Sequence, residues 1–203
     1  MNKVSCNSLE LLFAPDSRPF GRTYAEWTAR WWQWVLSIEK TENPLVDQNG
    51  KNCANNQSGP VWFLAGTLKG SAERSCTIPA DKAILFPVIN VEASVAEGHG
   101  STEEELAAAV KFEMDQITDM RAMFSETNLN ELKQYRIQSP LFNVTLPADN
   151  VLGVPAQSTK MMSEGYWLFL KPLEPGNYDL YSFGSCLAGK IKIGISYHLA
   201  IEK

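Results

Sequence analysis

Apolar residues recur along this chain at two different periods, and the change of period marks its elements. Tyr24, Trp27, Trp31, Trp34, Val35 and Ile38 stand three or four residues apart. That spacing puts them on one stripe of a helix, because side chains at i, i+3 and i+4 share a face. Thr23 precedes the stripe and Glu26 follows three residues later, the spacing of a capping box in which each side chain satisfies an orphan backbone N–H. A helix over 23–39 is expected, with Trp32 off the stripe and Glu26 and Arg30 placed to pair one turn apart. A second helix is expected over 101–125. Ser101 or Thr102 caps it, and Glu103, Glu104 and Glu105 oppose the positive end of its dipole. Leu106, Val110, Met114, Ile117, Met120 and Phe124 then keep helical spacing.

The remaining pattern is β. Residues 61–65 and 83–89 are short apolar runs, typical of strands covered on both faces. Pro87 cannot donate to a ladder, so it marks an edge or a bulge. Residues 139–146 and 166–170 are strand-like, Pro175-Gly176 suits a type II turn, and 178–183 would return as a hairpin partner. At the end of the chain Ile191, Ile193, Ile195, Tyr197, Leu199 and Ile201 alternate with Lys192, Gly194, Ser196, His198, Ala200 and Glu202. Alternation at period two predicts a long strand with the first set inside and the charges in solvent. Strands joined mostly by loops, with helices at only two points, imply a mainly β fold. The expectation is one antiparallel β-sandwich domain over 1–203, jelly-roll or immunoglobulin-like, with an N-terminal Trp-rich helix and one inserted helix.

The stretch PFGRTYAEWTARWWQWVLSI (residues 19–38), together with GPVWFLAG (59–66), resembles an uncharacterised family of bacterial and archaeal proteins of similar length. Residues 83–90 and 166–176 are similar too, so the resemblance spans most of the chain. It implies no activity, cofactor or catalytic residue. The Pro175-Gly176-x-Tyr178-x-Leu180 segment is also similar to turns in immunoglobulin-like sandwiches.

Composition narrows the partners. A chain of 203 residues buries enough surface to fold without a metal or a disulfide. Its net charge is −5 and its 18 basic residues are scattered, so the basic stripe that nucleic acid requires is missing and no such partner is expected. No run of about 18 apolar residues predicts a transmembrane helix. Residues 1–6 lack the apolar stretch of a signal peptide, which suggests a cytoplasmic protein unless a leader has been removed. Cys6, Cys53, Cys76 and Cys186 form no CxxC pair, so spacing gives no zinc site. A Cys53–Cys76 bridge would close a loop of roughly 24 residues, worth about 3 kcal/mol in the chain-entropy model. The compartment decides between that bridge and four free thiols.

Candidate chemistry is sparse. Residues 47–52, from Asp47 to Asn52, resemble a calcium loop but lack the carboxylates and terminal Glu of an EF-hand. The Asn49-Gly50 turn accounts for the same residues. Asp47 and Glu92 are candidates for acid and base in a hydrolase or carbohydrate-active site, although nothing in the sequence joins them. His99 lies between glycines as an exposed loop residue, and His198 falls on the wet face of the last strand. No G-x-S-x-G elbow supports a serine triad, and Cys186 is either a loop thiol nucleophile or a buried cysteine. The tryptophan stripe fits burial against the sheet better than a membrane-interface or sugar-stacking role. Asn56-Gln57-Ser58 and Asn143-Val144-Thr145 match glycosylation sequons. These readings favour a non-catalytic binding or assembly module without cofactor or metal, whose partner is a protein, a second copy or a glycan. The alternative is a hydrolase or carbohydrate-active protein using Asp47 and Glu92.

Overall fold

The computed structural model describes residues 11–203, in which the strands make two five-stranded sheets. The first sheet runs in the order β1 (Val61–Phe63), β3 (Ala83–Ser94), β8 (Gln157–Leu170), β6 (Arg136–Gln138), with β7 (Phe142–Leu146) also paired to β8. The second runs β2 (Gly70–Pro79), β10 (Ile191–Glu202), β9 (Gly176–Cys186), β4 (Ile117–Phe124), β5 (Thr127–Asn128). The fold is mainly β as expected, but it is not purely antiparallel: β1–β3 and β2–β10 are parallel pairs. The cause is connectivity. Between β1 and β3 the chain detours through β2 in the other sheet, and a crossover, unlike a hairpin, returns the chain in the same direction.

The link after β8 corrects a second expectation. β8 and β9 do not form a hairpin, because β9 pairs with β10 and β4 while β8 pairs with β3, β6 and β7. Residues 171–175 carry the chain from one sheet to the other. Gly176 has no positive φ, so the type II turn is not made.

The first helix, α1 (Tyr24–Leu36), starts at the predicted capping box of Thr23 and Glu26. Its stripe lies on the first sheet. Trp31 is fully buried, its indole N–H donates to the Leu64 carbonyl at 2.9 Å, and its ring meets Trp167 edge-on at 5.2 Å. Trp27 packs against Phe63 and Phe169, and Tyr24 against Phe169. Glu26 pairs with Arg18 rather than Arg30.

The second helix, α2 (Glu103–Met114), is capped by Thr102 and ends well short of residue 125. Residues Ile117–Phe124 are β4 instead. Met120, Ala122 and Phe124 also repeat at period two, and the open edge of β9 supplies the ladder that decides between the periods. Leu106 and Val110 of α2 pack on Ala93 of β3 and Met162 of β8.

The two sheets meet where Ile89 of β3 sits on Gly184 of β9; a Cβ added to that glycine would lie 2.6 Å from the Ile89 Cβ. One apolar core runs from α1 through both sheets. In β10, Ile195, Tyr197, Leu199 and Ile201 point inward, while Lys192, His198 and Glu202 are exposed. Ile191 departs from the pattern at 45% exposure, because pairing with β2 begins only at Ile193 and the strand end overhangs.

β2 has no counterpart in the sequence pattern. Ala72, Arg74, Cys76 and Ile78 are its inward positions. Arg74 is 1% exposed; its guanidinium donates to the carbonyls of Asp47, Ala65 and Gly66 and to the Tyr197 hydroxyl. That clamp fixes the polar loop over 40–59 against the strand. Cys53 and Cys76 stand at disulfide distance across the same contact, with Cα atoms 6.0 Å apart. Gly50 (φ +92°) lies over Ser75, where an added Cβ would come within 2.0 Å of the carbonyl oxygen. Cys186 is buried and unbridged, and Cys6 lies outside the described residues. No described helix is long and apolar enough to cross a membrane.

Candidate cation site at the end of β3

The site begins with the bulge at Pro87. Pro87 stands opposite Trp167 on β8, but Ile89 stands opposite Tyr166, so one extra residue enters β3 between them. The bulge resets which side chains share a face. Before it, Leu85 and Pro87 lie on the α1 side with Phe169 and Trp167. After it, Asn90, Glu92 and Ser94 take that side, opposite Gly165, Ser163 and Met161. The bulge reading of Pro87 therefore holds, and the edge reading does not: β3 is paired with both β1 and β8.

This face carries a run of buried polar atoms without partners. Asn90 Nδ2, Glu92 Oε2 and Ser163 Oγ are closed to solvent and make no hydrogen bond, and the Trp167 indole nitrogen continues the row. Folded proteins hold few such atoms, and each costs on the order of 1–3 kcal/mol.

The turn after β3 adds two more ligand groups. Ser94 organises it: its hydroxyl donates to Glu97 Oε2 at 2.7 Å and accepts the Glu97 N–H, and its carbonyl accepts the His99 N–H. Ala96 N–H is held by Thr159 Oγ1 on β8. Glu97 and His99 are thereby brought back over Glu92. One ligand atom from each of Glu92, Glu97 and His99 lies within 4.8 Å of the others; among the described residues no other set of three His, Cys, Asp or Glu side chains is mutually so close.

The three differ in depth. Glu92 is innermost, the Glu97 side chain is 20% exposed and the His99 ring, at 44%, forms the mouth. Burial first, then the charge and hydrogen bonding of Glu97, push the Glu92 carboxyl up to about 9. At neutral pH it therefore holds a proton beside Glu97. His99 Nδ1 accepts a long 3.3 Å bond from the Ser94 N–H and lies 3.9 Å from Glu97 Oε2, so a cation bound through this atom would take the place of that weak bond. Two carboxylates and an imidazole nitrogen suit a borderline first-row divalent cation better than calcium or magnesium, which prefer oxygen alone. A four-coordinate cation would draw its ligand atoms to about 3.4 Å from one another, a modest closure.

The residues singled out from the sequence fare unevenly here. Glu92 belongs to the cluster. Asp47 does not meet it: its two carboxylate oxygens accept the N–H groups of Asn49 and Asn52, closing its own loop. That bonding ties the carboxylate of the calcium-like segment to its own loop. His99 is exposed as expected, yet it faces two carboxylates. Glu97 carries no mark in the sequence; the compact Glu-x4-Glu-x-His spacing becomes informative only once the turn over 94–99 is known. Cys186 is buried, with its thiol pushed up by burial and by Glu113, the opposite of a reactive thiolate. His198 is exposed and bridges Asp179 (2.7 Å) and Glu73 (2.8 Å) on neighbouring strands. Comparison with known proteins finds no counterpart: no family model, no curated protein and no solved structure matches the chain.

Proposed function

We propose that this protein is a sandwich-like binding module whose functional centre holds a first-row divalent cation through Glu92, Glu97 and His99. The observation that carries this reading is Glu92 Oε2, a buried acceptor without a partner, set beside a second carboxylate and an imidazole. A cation repairs each defect at once. It satisfies the orphan oxygen, replaces the proton that Glu92 and Glu97 contend for, and takes over the His99 Nδ1 lone pair from its long bond to the Ser94 N–H. Three protein ligands leave a coordination position at the exposed His99 side, open to water or to a partner's oxygen. The reading keeps the binding-module expectation and makes no use of Asp47, whose carboxylate accepts N–H groups of its own loop.

Thermal unfolding tests the reading. Mn2+ suits the measurement because it has little affinity for the thiols of the unfolded chain. At pH 8 and a hundredfold excess over Kd it should stabilise the fold by about 2.7 kcal/mol. For a chain of this size that is a rise in Tm of roughly 5–11 °C. Glu92→Gln and His99→Ala should lose the shift, and Ca2+ should give a smaller one. A shift that survives Glu92→Gln, or none in the parent protein, contradicts the proposal.

A further inference from the structure

One flank of α1 meets the loop over 55–60 in an open cleft of about 490 Å³, within the range of small-molecule pockets, roughly 300–1,000 Å³. Phe20, Arg22, Trp27, Arg30, Trp34 and Phe63 give it its character, and no Asp or Glu lines it. In a chain of net charge −5 this is a locally positive place. Arg30 is exposed and has no hydrogen-bond or ion-pair partner among the described residues. Arg22 lies over the Trp27 ring at 5.9 Å, which orients its guanidinium. Glu26, the carboxylate whose charge bears on Arg22, is already engaged by the Thr23 N–H (2.7 Å), the Thr23 hydroxyl (3.0 Å) and Arg18 (3.8 Å).

Phe20 completes the arrangement. It sits in the turn Pro19–Gly21 with φ +52°, a left-handed conformation costly for an aromatic residue, and it is 47% exposed. Its ring meets Phe13 and Trp27 edge-on and still leaves the residue about half exposed at the cleft. Asn56, across the cleft, is also left-handed at φ +53°. The cleft thus sets an exposed aromatic ring beside the unpaired Arg30 and the Trp27-stacked Arg22, an aromatic rim with a positive side.

We propose that this cleft binds a small organic anion carrying a planar ring, with its phosphate or carboxylate on Arg22 and Arg30 and its ring on Phe20. The anion supplies the charge that Glu26 does not, and Arg favours such groups because its planar fork donates two parallel hydrogen bonds. A neutral glycan would use the aromatic rim and leave both cations unpaired, so charge dependence separates the two occupants.

Calorimetric titration of the full chain in EDTA tests this independently of the cation site. Adenosine 5′-monophosphate and indole-3-acetate are the probes; adenosine supplies the ring without the charge, and inorganic phosphate the charge without the ring. At least one probe should saturate with Kd below about 1 mM, and adenosine and phosphate should each bind at least about tenfold more weakly than that probe. Arg30→Gln, at an exposed position, should weaken the probe about tenfold with an unchanged melt. Phe20→Asn, which suits a left-handed backbone, should weaken it while melting no lower. Glu92→Gln should leave the binding intact. Saturation by neither probe, equal binding of adenosine and its monophosphate, or full affinity in Arg30→Gln overturns the proposal.

Discussion

Glu92 is a carboxyl that the fold buries without giving it a cationic partner. A glutamate in the unfolded chain titrates near 4.5, whereas Glu92 in the fold titrates at about 9. A group that binds its proton more tightly when folded favours the folded state below its unfolded pKa, and that contribution is lost as pH rises through its folded pKa. Stability of the cation-free protein should therefore fall between about pH 4.5 and pH 9. Glu92→Gln keeps the shape and hydrogen-bonding reach of the protonated acid but cannot ionise, so it should flatten the slope and melt above the parent protein at pH 8.5. Urea melts across that pH range measure both; parallel curves for the two proteins would show that Glu92 is not the titrating group. The sequence marks Glu92 as a carboxylate near a strand end, and composition carries no more than that. Its depth, its neighbour Glu97 and its side of the sheet all follow from the bulge at Pro87. An unbroken pleat from Leu85 would have put Asn90 and Glu92 on the opposite face.

Among the elements, α1 is the most legible, because one stripe and one capping box say the same thing as the tertiary contacts do. Trp31 is the centre of that agreement. It is fully buried, touches Trp32, Trp34 and Trp167, and donates its indole N–H to Leu64. Trp31→Ala leaves a large cavity and an unsatisfied carbonyl, and should cost about 3–5 kcal/mol in chemical denaturation. A loss below about 1 kcal/mol would mean that the helix is not anchored through this ring. Two other elements are illegible for physical reasons. Residues 117–124 fit either period, and only pairing with β9 decides for the strand. β2 places a charged Arg74 at an inward position, where sequence patterning expects an apolar residue; three carbonyls and a hydroxyl accept from its Nε and Nη1, while Nη2 has no partner.

At the scale of the whole molecule the division into two sheets sets where the sites lie. β10 is the strand through which β2 joins the second sheet, and its alternation holds from Ile195 to Ile201 as the pattern predicts. What the sequence could not convey is that the chain crosses between sheets at β1–β2, β2–β3, β3–β4, β5–β6 and β8–β9, so the expected β8–β9 hairpin and the all-antiparallel ladder both fail. The same switching leaves the end of β3 extending past β1, where the turn over 94–99 folds back onto Glu92. The candidate cation centre is thus a product of topology, assembled from a strand, a turn and the facing strand β8.

Calorimetry of Mn2+ binding to the full chain at pH 7.5, in two buffers of different ionisation enthalpy, tests the central claim most directly. Ligands must shed their protons to coordinate, and Glu92, with a pKa of about 9, is protonated at that pH. The account predicts one saturable site per chain with about one proton released on binding, and loss of both in Glu92→Gln. No saturable binding, or binding whose proton release is the same in Glu92→Gln, would contradict it.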